Sequence, residues 1–145
     1  MKCAVIGGGS WGTALASVLA SKGEVILWAR DPKVVRSVNE DHRNCKYQSD
    51  LRLSDNIKAT SSLETAIKGS DLVIMVVPSH VMRVIATECA PHLKRGAIVV
   101  SASKGIENKS LMTMEEVLAA SLPRSFRGDL AFLSGPSFAR ETIEQ

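Results

Sequence analysis

Three glycines at a fixed spacing, Gly7, Gly9 and Gly12, form G-x-G-x-x-G within Ile6-Gly7-Gly8-Gly9-Ser10-Trp11-Gly12-Thr13-Ala14-Leu15-Ala16. The apolar run Cys3-Ala4-Val5-Ile6 precedes them, and Leu15, Val18 and Leu19 follow at helical spacing. The motif therefore sits between a strand and a helix, the context in which it holds the pyrophosphate of a dinucleotide. Gly7 permits the tight turn out of the strand, Gly9 lets the pyrophosphate approach the backbone, and Gly12 lets the helix pack closely. The first helical amides, near Ser10 and Trp11, have no carbonyl partner within the helix and present N–H groups to an anion, with the positive end of the helix dipole behind them. The Ser10 hydroxyl adds a donor. The alternative is a Gly-rich turn that binds nothing.

Two cations lie where such a ligand would be read. Arg30 follows the second apolar run, Glu24-Val25-Ile26-Leu27-Trp28, at the point where a dinucleotide-binding fold contacts the adenosine ribose. Arginine there suits a 2′-phosphate or stacking on adenine, so NADP is slightly favoured and NAD stays open; the competing reading is a solvated strand-end charge. Asp31 with Pro32 reads as the N-cap and first position of the next helix. Lys104 follows Ala97-Ile98-Val99-Val100-Ser101, and at a carboxyl-end strand tip its ammonium can hold a phosphate or polarise a ketone oxygen. Alone it would be an ordinary solvated lysine. His80 is a weaker proton-donor candidate, read as an exposed first-turn residue because no carboxylate partner is in view.

Strand and helix signals alternate along the chain around these groups. Lys22-Gly23 stops the first helix. Lys33 to about Glu40 forms a short helix with Val34, Val35 and Val38 on one side, and the polar stretch from Asp41 to Asn56 reads as a surface excursion. Ile57-Lys58-Ala59 is a strand, and Ser61 with Glu64 gives a capping box for a helix ending at Lys68-Gly69. Asp71 to Val77 is apolar after its first residue, as in a central parallel strand covered on both faces. It ends at Pro78, with Ser79 as the expected cap of the following helix. Leu111 to about Leu122 is a further helix closed by Pro123. Leu130 to Leu133 is a last strand, running into Ser134-Gly135-Pro136-Ser137-Phe138-Ala139 and another helix start. Six strands with intervening helices predict an α/β, doubly wound, mainly parallel sheet of the Rossmann type over residues 1–145.

With 45% apolar and 23% charged residues, and no apolar run near the roughly 20 residues that span a bilayer, membrane insertion is not expected. The short N-terminal apolar run lacks a signal-peptide core, and a cytoplasmic location follows as an expectation. Cys3, Cys45 and Cys89 show neither a disulfide framework nor metal-ligand spacing, so reduced thiols and no metal are expected. The net charge of +3 is dispersed and has no aromatic neighbours for base stacking, which argues against nucleic acid.

Taken together, Gly-Gly-Gly-Ser-Trp-Gly-Thr-Ala-Leu-Ala at 7 to 16, Leu-Trp-Ala-Arg at 27 to 30, Val-Pro-Ser at 77 to 79, Ser-Lys-Gly-Ile-Glu at 103 to 107 and Leu-Ser-Gly-Pro-Ser-Phe-Ala at 133 to 139 form one pattern. It resembles NAD(P)-dependent glycerol-3-phosphate dehydrogenase of the bacterial and plastid type. The resemblance implies that Ser10, Trp11, Arg30 and Ala139 contact the cofactor and that Lys104 touches cofactor and substrate. Gly135 and Ser137 would hold glycerol phosphate. Tyr47 would match an aromatic cofactor contact, although Gln48-Ser49-Asp50-Leu51 departs from the Leu-Pro-Gly usual after it. The family also carries a helical C-terminal domain supplying the general acid/base lysine, which would lie beyond this chain; the full-length form would be a homodimer. The implied reaction is hydride transfer between NAD(P)H and dihydroxyacetone phosphate, giving sn-glycerol 3-phosphate for phospholipid synthesis, with this length alone inactive. A non-catalytic dinucleotide-binding module and a fragment of a related phosphate or keto-acid dehydrogenase are the rival readings.

Overall fold

Except at Ile57-Lys58-Ala59-Thr60, each strand begins as a short apolar run, and alternate side chains point to opposite faces of the sheet. A computed structural model describes residues 1–135 and 138–144. Among the described residues the strands are β1 (Cys3–Ile6), β2 (Val25–Trp28), β3 (Ile57–Thr60), β4 (Leu72–Met75), β5 (Ile98–Ser101) and β6 (Leu130–Phe132). They join in the order β3-β2-β1-β4-β5-β6, and every neighbouring pair is parallel. The expected doubly wound sheet is therefore present, with its order reversing between β1 and β4.

The two faces bury different sets of side chains. Cys3, Val5, Val25, Leu27 and Ile74 pack on one side with α1 (Ser10–Ala20) and α2 (Pro32–Asp41). Ala4, Ile6, Val73, Met75 and Val99 pack on the other with α3 (Leu63–Ile67), α4 (Ser79–Cys89) and α5 (Met114–Ser121). Coverage on both sides is why these strands are apolar throughout rather than alternating. A last helix, α6 (Ala139–Glu144), follows β6. No helix among the described residues is long and apolar enough to cross a membrane.

Several local expectations are corrected. The buried face of α1 is Gly12, Thr13, Ala14, Ala16 and Ala20, whereas Val18 is exposed, because small residues let the helix lie close on the sheet. Ser62, not Ser61, caps α3, its hydroxyl accepting from the Thr65 amide at 3.2 Å. Pro78 occupies the N-cap of α4 and Ser79 is its first residue. Helix α5 begins at Met114 behind a capping box of Thr113 and Glu116, and Leu111, at φ 59°, belongs to the preceding turn. The stretch from 41 to 56 is mostly exposed, as expected of a surface excursion, but Asn44, Gln48 and Leu53 within it are buried. Its polar composition conceals buried amides that find specific partners.

The candidate cofactor cleft

The glycine loop between β1 and α1 is fixed by close backbone approach. Gly7 has φ 134°, and a Cβ there would lie 2.3 Å from the Val76 carbonyl oxygen. A Cβ on Gly12 would lie 1.8 Å from the Gly7 oxygen, so this glycine packs against the loop itself as well as easing the helix onto the sheet. Gly8 is equally confined, 2.6 Å from the Ala29 Cβ by the same construction. Gly9 differs. Nothing lies within 4 Å of where its Cβ would be, which leaves open space over the backbone for a ligand. The N–H groups of Gly8, Gly9, Ser10 and Trp11 donate to no acceptor among the described residues, the condition for an anion cradle at a helix start.

The residues that brace this loop come from the stretch after α2. Asn44 Nδ2 donates to the Gly8 carbonyl at 2.9 Å and to Thr13 Oγ1 at 2.8 Å. Thr13 Oγ1 in turn donates to the Gly9 carbonyl at 2.8 Å. The Asn44 side-chain oxygen accepts from the amides of Lys46 and Tyr47 at 3.2 and 3.3 Å, and Gln48 Nε2 donates to Ser10 Oγ at 3.0 Å. Ser10 thus accepts from the protein and keeps its own hydroxyl hydrogen for a ligand. The loop carbonyls of Gly8 and Gly9 are occupied while the amides stay available.

These residues line a cleft of about 880 Å³ outside the carboxyl ends of β1 and β4, the switch point where ligands bind in open α/β sheets. The volume falls within the range of ligand pockets. At one end stand Arg30, Asp31 and Lys46, and along it lie Trp11, Tyr47 and the apolar Val76, Pro78 and Val81. Lys104 lines the same cleft from the loop after β5, as does His80, exposed on the first turn of α4. Arg30 and Lys104 are exposed and form no ion pair among the described residues.

The Lys104 loop is held from both sides of the lysine. Ser103 Oγ donates to the Val77 carbonyl at 2.6 Å, and Gly105 takes φ 100°. Two residues later, Glu107 accepts a fork of hydrogen bonds from Arg83 of α4, at 2.9 and 2.7 Å, and another from the Ser110 hydroxyl. The Arg83 guanidinium, assisted by Ser110, holds the Glu107 carboxyl down at about 2. Elsewhere burial pushes the Cys89 thiol up to about 12, and the cysteines among the described residues are free.

The sequence-selected residues fall into two groups. Gly7, Gly9, Ser10, Trp11, Gly12, Arg30, Tyr47 and Lys104 share the main cleft. Ala139 instead lines a second cleft of about 560 Å³, between α6 and the side of Trp11, Tyr47 and Gln48. Gly135 lines neither cleft; Ser137 lies outside the described residues. Residues missed from sequence are Gly8, Asn44, Lys46, Gln48 and the Arg83–Glu107 pair. Only the Gly8 signal was local, since three consecutive glycines mark a loop with no room at several positions. The others depend on partners distant in sequence.

The sequence profile described as NAD-dependent glycerol-3-phosphate dehydrogenase N-terminus matches residues 2–145. A protein named glycerol-3-phosphate dehydrogenase [NAD(P)+] from Leptospira biflexa serovar Patoc is 44% identical over 146 residues, covering 100% of this chain and 44% of that protein. One of the same name from Nitratidesulfovibrio vulgaris strain DP4 is 49% identical, covering 99% and 43%. The crystal structure of glycerol-3-phosphate dehydrogenase from Coxiella burnetii superposes with a TM-score of 0.86 at 30% identity, over 99% of this chain and 43% of that one. The chain therefore spans less than half the length of these relatives.

Proposed function

The chain belongs to the NAD-dependent glycerol-3-phosphate dehydrogenase family, matching its N-terminal region, and from that premise we propose that its main cleft is the cofactor half of an enzyme interconverting dihydroxyacetone phosphate and sn-glycerol 3-phosphate. The observation that carries the reading is the combination at one switch point of an open space over Gly9, four undonated amides and an unpaired Lys104 among the described residues. A pyrophosphate fits that chemistry. The amides and the Ser10 hydroxyl would take its oxygens, and Tyr47 and Trp11 would flank it. When bound, the nicotinamide supplies or accepts the hydride exchanged with C2 of the substrate.

Lys104 would neutralise charge on the C2 oxygen as the ketone is reduced, and on the substrate phosphate. Gly135 and Ser137 would complete the phosphate seat and Ala139 would face the cofactor, roles taken from the family pattern in Leu-Ser-Gly-Pro-Ser-Phe-Ala. The proton that reduction of the ketone requires would come from a lysine in the region that the relatives carry beyond this match. The same reading includes a cytoplasmic, homodimeric full-length protein. Titration with NADPH and NADH, followed by quenching of Trp11 and Trp28 fluorescence, tests it. Saturable binding supports the cofactor reading, and binding of neither removes it. Subsequent oxidation of NADPH on adding dihydroxyacetone phosphate, in the full-length enzyme, tests the substrate.

A further inference from the structure

We infer that Lys46 is a specificity-determining residue, which lets the cleft accept a 2′-phosphorylated dinucleotide by neutralising Asp31 beside Arg30. The inference rests on the cofactor reading above. An acidic residue at the tip of β2 ordinarily selects NAD, because its carboxylate accepts from the ribose hydroxyls and repels a 2′-phosphate. Asp31 stands next to that tip and lines the cleft, yet its oxygens are engaged. Oδ1 accepts from the Lys33 amide at 2.8 Å, capping α2, and Oδ2 is paired with the Lys46 ammonium. Lys46, whose side chain is 48% exposed, also lines the cleft and retains donors for a ligand.

Lys46 reaches this place for a structural reason. Its own amide is tied to the Asn44 side chain, which is anchored on Gly8 and Thr13. The same turn that braces the pyrophosphate loop thus delivers a second cation to the ribose end. With Arg30, Lys46 and Asp31 together, that end carries one net positive charge. A 2′-phosphate, with close to two negative charges near neutral pH, is attracted there; the uncharged hydroxyl of NAD is nearly indifferent to it. Hence one lysine can move the ratio of the two affinities without being needed for the fold of the glycine loop.

The test is a charge cycle on the purified protein at fixed ionic strength, reading Kd for NADPH and for NADH by tryptophan quenching, with circular dichroism to confirm folding. Lys46→Met is expected to move the Kd ratio about tenfold toward NADH. Asp31→Asn keeps an equally good helix cap and moves the ratio several-fold toward NADPH. The double variant restores the wild-type net charge, so its ratio returns to within about threefold of the starting value. Lys46→Arg should keep the wild-type ratio, which a purely structural effect of the methionine would not explain. An unchanged ratio in Lys46→Met, or a double variant that follows one single variant, overturns the inference while leaving the cofactor reading intact. A folded wild-type protein that binds neither dinucleotide overturns both.

Discussion

Two of the loops that line the main cleft are held by different physics. The glycine loop is kept in shape by backbone atoms that leave no room for a Cβ at Gly7 or Gly12, by the Ala29 side chain against Gly8, and by neutral hydrogen bonds to the buried Asn44. The Lys104 loop is kept in place by the charged fork between Arg83 and Glu107, together with Ser103. Steric contacts and neutral hydrogen bonds neither titrate nor weaken in salt, whereas an ion pair does both. One side of the cleft should therefore be indifferent to acid and salt, and the other responsive.

The strongest way to break the rigid side is Gly12→Ala, which forces a Cβ onto the Gly7 oxygen. We expect a loss of about 3 kcal/mol of stability, seen as a fall of roughly 10 °C in Tm, and loss of dinucleotide binding. Asn44→Ala leaves the Gly8 carbonyl without its partner and should cost about 2 kcal/mol, measurable by urea unfolding, with weaker NADPH binding. Gly9→Ala sharpens the distinction between fold and ligand. The new methyl meets no protein atom within 4 Å, so stability should stay within about 0.5 kcal/mol while Kd for NADPH rises at least about tenfold. If Gly9→Ala binds normally, the open space over that residue is not where the ligand approaches.

On the responsive side, Lys104→Ala in the full-length enzyme should lower kcat/KM at least about tenfold; steady-state rates equal to wild type would remove its electrostatic role. The smallest effect concerns the clamp. Because the folded Glu107 carboxyl sits at about 2, below its ordinary value of 4.5, its contribution is present above that ordinary value and is lost as pH falls towards 2. Asp31, Asp71 and Glu116 are also held below the usual carboxylate range, so the wild-type curve alone is not specific to Glu107. Arg83→Met should remove the Glu107 share, giving a shallower fall of Tm with acid and less dependence on salt than wild type. Parallel Tm-against-pH curves for the two proteins would show that the clamp does not hold the loop.

The sheet was legible because its signals are local. The strands other than β3 are short, mainly apolar runs, and Asp31-Pro32 marks the start of α2 by residue type alone. The glycine spacing was equally direct, since close approach admits no other residue at Gly7 and Gly12. Where several residues satisfied the same local rule, tertiary packing decided: Ser62 caps α3 in place of Ser61, and the alanines of α1 face the sheet in place of Val18. The brace was illegible for a different reason. Asn44 and Gln48 look like loop residues until Gly8, Thr13 and Ser10 stand beside them, and Lys46 gains meaning only from Asp31. Residues that act through a distant partner carry no periodic or positional mark.

The hydrogen bond from Asn44 to Gly8 joins positions 36 residues apart, and this has a consequence for the order of assembly. The first strand, α1 and β2 can associate as soon as residues to Trp28 have been synthesised, since their contacts are close in sequence. The cradle for the phosphates is not complete at that stage. The Gly9 carbonyl already has Thr13 of α1 as its donor, but the Gly8 carbonyl finds its partner only when α2 has formed and the turn at 44 to 48 has docked. A nascent chain is therefore expected to become competent for the dinucleotide in a step separate from formation of its first βαβ unit, with the ligand favouring the later state.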